Sequence, residues 1–537
     1  MAQTKSTPTS PQGKVQGRYT ALEAKRQPYL RRGWECSELT VPSLLPRQGT
    51  NSTTDLPIPW QTIGARGTHH LSSKLLMSTL PTNTAFFRQR VDEFVIEKMA
   101  QETGAQPEVL KSQFEEALSK VERATMDFIT GSTDRVAIEQ AYKHLIVVGN
   151  VLLFRDPKKG MRIYTLNNYV VRRDRSGTVM EIIIKECVDP SLLPLAVQTQ
   201  AASKGDGTDT ESVDLYTSIV RNTKEKQWDI WQESCGIEVP DTRSTRPLEK
   251  PYWLPLRFTK IDGEHYGRSY VESMLGDLRS LEALQQAMVE GTAAAAKVLF
   301  LVKPNGTTKI QVLAKAPNGG IVNGNAEEVT VLHLDKQADF QVAMQLRGEI
   351  TQSLSLSFLL NSSIQRDAER VTAEEIRYMA QELEQSLGGF YTVLSVEFQI
   401  PYVEMVQSEM SSKGKLPKLP QQQVRLTIVT GLEALGRSQE LAKLNAWVDG
   451  IIKTWGPEVA AQRLNVGEIE KRRAIALGVD YKGLIKDDAT LQQEAQDAQT
   501  NQLGQNVAPH MVNAAGKLMQ EGMKQNGGSQ GQGQQAA

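Results

Sequence analysis

The stretch Asp262–Glu272 reads DGEHYGRSYVE and sets Gly263, Gly267, Arg268 and Ser269 close together. Glycines beside a basic residue and a hydroxyl are the chemistry of a phosphate-binding loop. In such a loop, backbone N–H groups curl round the anion and a lysine reaches it. Here the spacing is short: three residues separate the glycines where that loop needs four, and arginine stands in the lysine position. A helix N-terminus can still attract an anion through its free N–H groups. Ser269 and Glu272, however, have the S-x-x-E spacing of a capping box, so their side chains would take those groups, and Glu272 puts negative charge where a phosphate would sit. The expected structure is a turn that starts a helix. The alternative is a nucleotide-binding enzyme using Gly263–Ser269.

The remaining candidates for chemistry are weaker. None of the histidines (His69, His70, His144, His265, His333 and His510) lies in HExxH or pairs with a cysteine at ligand spacing, so no metal is expected. Adjacent His69 and His70 on a helix would point to different faces. There is no GxSxG elbow. The pairs Glu327–Glu328 and Glu374–Glu375 fit solvated faces, as do Asp487–Asp488 near the tail. No catalytic residue and no cofactor is expected, and the chain reads as a non-enzyme. Basic clusters at 31–32, 172–175 and 471–473 are short. Arg366 and Arg370 stand out because they lie in a polar break between two long helical runs, although on these residues alone a plain interhelical loop is the better explanation.

The 537 residues carry 61 Lys and Arg against 62 Asp and Glu. A net charge of −1 argues against coating nucleic acid by charge alone, while leaving local basic rings open. Cys36, Cys187 and Cys235 are odd in number and far apart, so no disulfide framework follows and a reducing compartment is expected. The polar start has no apolar signal region. The longest apolar run, LIVVGNVLLF, is too short for a membrane span, so direct membrane insertion is not expected.

Periodicity divides the chain into an α+β, mainly helical, protein. Residues 85–104 and 108–129 read as amphipathic helices, the second through Leu110, Phe114, Leu118, Val121 and Met126. From 145 to 262 short β-branched runs alternate with turns such as Asp174–Gly177, and 199–212 reads as a surface loop. A helix from Ser269 carries Leu275, Leu278, Leu281, Leu284 and Met288 along one stripe. A β-rich insert with two Pro-Asn-Gly turns follows, around KIQVLAK and VTVLHL. A second helix has Val342, Leu346, Ile350, Leu354 and Phe358 at spacing four. After NSSIQRDAER, a longer helix opens with a capping box of Thr372 and Glu375. Kinks are expected at Gly388–Gly389 and Pro401. Residues 424–485 read as helical, and the Gln/Gly-rich end reads as disordered.

Several blocks in order, among them 262–297, PWQTIGARGTHHLSSKLL, HLIVVGNVLLF, DKQADF, LLNSSIQRDAERVTAEEIRYMAQELEQSLGGFYTVLS and TGLEALGRSQEL, give the chain a family resemblance. It resembles the portal proteins, or head-to-tail connectors, of short-tailed phages of the autographivirus type. The resemblance covers most of 25–485. It implies a phage portal fold with wing, stem, clip and crown, assembling as a ring with a central channel. On that scheme 1–24 is a flexible arm, 25–268 the wing, 269–302 the first stem helix and 303–335 the clip. Residues 336–360 form the second stem helix, 361–371 the channel loop, 372–423 a long helix from wing to crown, 424–485 the crown and 486–537 the tail.

The resemblance also implies function and partners. The ring, of twelve copies in most members, sits at one capsid vertex and passes double-stranded DNA during packaging and ejection. Its partners are the major capsid protein and scaffold, a terminase on the clip, then the tail adaptor, the tail and internal core proteins. Assembly occurs in the host cytoplasm and the product resides in the virion. Another virion protein, such as a tail adaptor, is the structural alternative. Lys303, Lys309, Lys315 and Asn318 become clip docking candidates. Arg366, Asp367, Glu369 and Arg370 become channel candidates, and their mixed signs suit weak, sequence-blind contact with a duplex that carries about one charge per 1.7 Å.

Overall fold

The computed structural model describes residues 15–477 except 51–52, 82–84, 105, 157–158, 205–211, 296–298, 318–319, 333–336, 361–386, 388, 417–423, 429–431, 457–458, 460–463 and 465. Contacts divide the chain into two compact units, to Ala434 and from Leu435.

The first unit is built round α5 (Asp134–Val148). Its Ile138, Ala141, Tyr142, Leu145, Ile146 and Val147 are all buried. A helix apolar on every side is a core helix, and α1 (Val15–Glu38), α2 (Ile63–Thr79) and α4 (Pro107–Thr130) pack around this one. It ends at Gly149 in the left-handed region, φ 79°. A Cβ there would lie 2.6 Å from the Ser269 nitrogen, so only glycine fits. The chain then enters β2 (Asn150–Asp156), the central strand of an antiparallel sheet with β3 (Gly160–Tyr164) and β10 (Trp253–Arg257).

A second antiparallel sheet runs β4 (Tyr169–Arg173), β5 (Val179–Val188), β6 (Val213–Asn222) and β7 (Gln227–Ser234). Two short strands, β8 (Ile237–Glu238) and β9 (Ser244–Pro247), also pair with β7. The start of α1 covers one face of this sheet: Val15, Tyr19 and Leu22 pack with Val170, Ile183 and Tyr216.

Charged groups stitch the core. The Asp134 carboxylate accepts from Met161 N–H at 3.0 Å, Arg155 Nε at 2.9 Å and the Tyr402 hydroxyl at 3.1 Å. Arg155 also binds Glu409 in α10 (Ile400–Ser412). A buried charge is tolerated when paired and hydrogen-bonded, and this network joins α5, β2, β3 and α10.

Several sequence expectations need correction. Residues 15–24 are not a free arm, because they form the start of α1. The expected helix over 85–104 is a strand, β1 (Phe87–Val91), followed by α3 (Glu93–Thr103). β1 pairs with β13 (Val424–Ile428), Phe87 opposite Ile428, so 424–428 belongs to the first unit rather than opening a helical segment. The expected loop 199–212 begins inside a helix, α6 (Leu195–Lys204). Near Pro401 the distortion is a π-turn at Ser395–Gln399, ahead of the residue that lacks an N–H. Beyond Leu435 the described residues are helical, in α11 (Leu432–Trp455) and α12 (Val466–Leu477).

Candidate functional site: a helical hairpin and its joint to the body

Residues 262–272 form a closed joint. The Gly267 N–H donates to Asn150 Oδ1 at 2.7 Å, and its carbonyl accepts from Asn150 Nδ2 at 2.9 Å. A Cβ on Gly267 would stand 2.8 Å from the Arg257 Cβ. Thr259 and Arg268 exchange both backbone hydrogen bonds. The Arg268 guanidinium grips Glu264 at 2.9 and 3.2 Å and Glu272 at 3.1 Å, above the Tyr29 ring. Its pKa is raised, chiefly by the hydrogen bond to Glu264. Ser269 Oγ accepts the Glu272 N–H at 2.9 Å. That is half of the expected capping box, since the Glu272 carboxylate turns to Arg268 and Arg32. The groups a phosphate would need are already engaged, so the stretch anchors a helix.

That helix begins with a short 3-10 turn, Val271–Met274, and continues as α7 (Leu275–Ala295). It ends before the expected 302, because β11 (Leu299–Val302) pairs with β12 (Val329–Leu332). Between these strands the expected β-run KIQVLAK is a short helix, α8 (Ile310–Lys315). The chain returns in α9 (Gln337–Ser357). α7 and α9 pack along one another, with the Phe340 ring against Gly291 and Arg347 Nη1 3.4 Å from Gln285 Oε1.

The packing stripe follows depth. Leu278, Leu281 and Leu354 are buried at the base, and Leu275 and Ile350 pack against the core. Leu284 and Met288 are half-buried higher up, while Val289, Val342, Met344 and Leu346 are exposed. Three contacts fix the point where α9 ends. The Phe358 ring fills the notch left by Gly67, where a Cβ would lie 2.3 Å from Cγ. The Tyr270 hydroxyl donates to the Ser357 carbonyl at 2.7 Å, and Lys74 Nζ to the Leu359 carbonyl at 3.0 Å. Leu359 has φ 56°, with its N–H on the Leu356 carbonyl and the Leu360 N–H on the Ser355 carbonyl. This is a Schellman ending with leucine where glycine is usual.

At the far end, Lys303, Lys309 and Lys315 are exposed, as are Leu301, Ile310, Val312 and Ile321. The Glu328 carboxylate accepts from Thr308 N–H at 2.9 Å, Thr308 Oγ1 at 2.8 Å and Thr307 Oγ1 at 3.1 Å. The Thr307 and Thr308 hydrogen bonds hold it down to about 2. Asn318, Arg366, Asp367, Glu369, Arg370, Thr372 and Glu375 lie outside the described residues. Among the described residues no cluster of His, Cys, Asp or Glu is placed to hold a metal, and no helix is long and apolar enough to cross a membrane.

Sequence reasoning missed Lys74, Gly67 and Glu282. The Glu282 carboxylate accepts the backbone N–H groups of Trp60 at 2.8 Å and Gln61 at 3.3 Å, tying the segment ahead of α2 to the side of α7.

The description "Bacteriophage head to tail connecting protein" belongs to the family that matches residues 12–485. The portal protein of Escherichia phage T7 is 38% identical over 512 residues, 94% of this chain and 92% of its own. That of Enterobacteria phage T3 is 38% identical over 496 residues, 91% of each chain. That of Enterobacteria phage SP6 is 30% identical over 519 residues, 95% of this chain and 98% of its own.

Proposed function

The chain belongs to the bacteriophage head-to-tail connecting proteins, the portal proteins of short-tailed phages, and on that premise we propose how it works. It is a structural subunit with no catalytic site of its own. About twelve copies close into a ring at one capsid vertex. DNA passes through the centre during packaging and again during ejection. The α7–α9 hairpin is the stem, and the β11–β12 segment with α8 is the clip. Lys303, Lys309, Lys315 and Asn318 present the clip to a terminase and later to the tail adaptor. The wing meets the capsid protein and scaffold, and the opposite end meets the internal core proteins. The ring assembles in the host cytoplasm and remains in the virion.

One observation carries the ring. The hairpin is welded to the body at its base, yet it leaves Val289, Val342, Met344 and Leu346 uncovered higher up. Apolar residues left exposed on both flanks of an element this firmly placed suit contacts with neighbours on either side. An interface between two different patches of one chain closes into a ring when the rotation allows. Charge supports the conduit. In sequence the two hairpin helices carry Asp277, Glu282, Glu290, Asp339 and Glu349 against Arg279 and Arg347, three negative charges in excess. A hairpin with this balance offers no uniformly basic belt to grip a polyanion.

The channel assignment is tested by Arg366→Ala with Arg370→Ala. The expected result is intact rings with altered DNA packaging or retention. Loss of the rings in that double variant would remove these residues from the lumen.

A further inference from the structure

Residues 53–61 form an irregular strap between α1 and α2 that ends in Pro57-Ile58-Pro59-Trp60. Ile58 is 89% exposed and Trp60 45%. Each proline fixes its own φ, and Pro57 and Pro59 hold Leu56 and Ile58 out of the helical region. The strap is pinned where Glu282 takes the N–H groups of Trp60 and Gln61. Two large apolar side chains are thus displayed on a pre-ordered backbone, so docking them costs little conformational entropy.

The hairpin geometry says what they fit. On α7, Gln285 and Gly291 face α9, while Glu282 and Val289, seven residues apart, share the face that meets the strap. On α9, Phe340, Arg347 and Leu354 face inward, whereas Val342 and Leu346 lie well to one side. At about 100° per residue, and with the two helices antiparallel, the strap and Val289 fall on one flank of the hairpin. Val342, 69% exposed, and Leu346, 45% exposed, fall on the opposite flank. The Gln285–Arg347 and Gly291–Phe340 contacts place Leu346 within about one helical turn of the height of Glu282. One chain therefore carries two unlike apolar patches, at the same height, on opposite sides of one rigid element. That is what a head-to-tail contact between copies requires.

We infer that the Ile58–Trp60 strap of one copy packs on the Val342–Leu346 flank of the next, clasping neighbouring stems. The inference rests on the ring reading above and adds a specific contact to it. The test uses full-length chains in a Cys187→Ser background, which removes the exposed native thiol. One chain carries Ile58→Cys, the other Leu346→Cys. Both are assembled together and treated with a short bis-maleimide, with light scattering and micrographs of the same fraction. The expected result is a one-to-one covalent pair in up to about half of the chains of an equal mixture, as random order round a closed ring allows, and no pair when either variant assembles alone. Rings without mixed pairs would overturn the strap contact and leave the ring standing. Monomers throughout, in the Cys187→Ser parent as well as in the two variants, would overturn both, and monomers in the variants alone would support the contact.

Discussion

Replacing Gly67 by alanine tests the joint that holds the hairpin. The new Cβ would lie 2.3 Å from Cγ of Phe358 and 2.6 and 2.7 Å from its Cδ atoms. Such distances force the fully buried ring to move. Overpacking costs about 1–3 kcal/mol, and losing a buried phenylalanine altogether about 3–5. Alanine in a helix interior returns about 1 kcal/mol relative to glycine. If the ring is expelled, Gly67→Ala costs a net of about 2–4 kcal/mol. In a Phe358→Ala background the notch is empty, and the same substitution should stabilise by about 1 kcal/mol. The sign reverses, and that reversal is the signature of the contact. Hydrogen exchange of amides in the last turn of α9 reads local opening directly. It should speed up by roughly thirtyfold to a thousandfold in the single variant, at about 1.4 kcal/mol per decade. An effect of the same sign in both backgrounds would refute the reasoning.

Two further perturbations probe the body. Arg155→Met leaves the Asp134 and Glu409 carboxylates buried without their shared guanidinium. The expected loss is about 3–5 kcal/mol in a urea unfolding series, as for other broken buried pairs. Burial pushes the His144 imidazole down to about 4. The unfolded chain keeps a value near the ordinary 6.5, so it binds the proton more tightly than the folded one. Stability from this group is therefore full above about pH 6.5 and is lost as pH falls toward 4. The slope approaches about 1.4 kcal/mol per pH unit. His144→Leu should lack that slope, measured as the difference between the two proteins' stability curves, and parallel curves would contradict the assignment.

Much of the architecture was legible because its signal is local. The α4 stripe and the runs that became β2 to β7 declare themselves by period, and the family blocks identified the chain. β1 was misread because what makes it a strand is β13, far along the chain. In α8, Ile310 and Val312 alternate like a strand, but neither is paired and the short turn of helix prevails. The joint left a fainter trace. Gly64 and Gly67 stand three apart in α2, and glycines inside a helix often mark close approach. Here Gly64 meets the Leu39 carbonyl and Gly67 the Phe358 ring. Nothing near Lys74 in the sequence points to Leu359, and nothing near Glu282 points to Trp60. Both contacts join segments that only the folded chain brings together.

The central claim is that this chain works as a closed ring. The most direct measurement is the solution mass of the purified protein by light scattering, with micrographs of the same fraction. The family resemblance sets the expected mass at about twelve chains, and closed head-to-tail symmetry requires particles with a central hole. A stable monomer under virion-like conditions would contradict it.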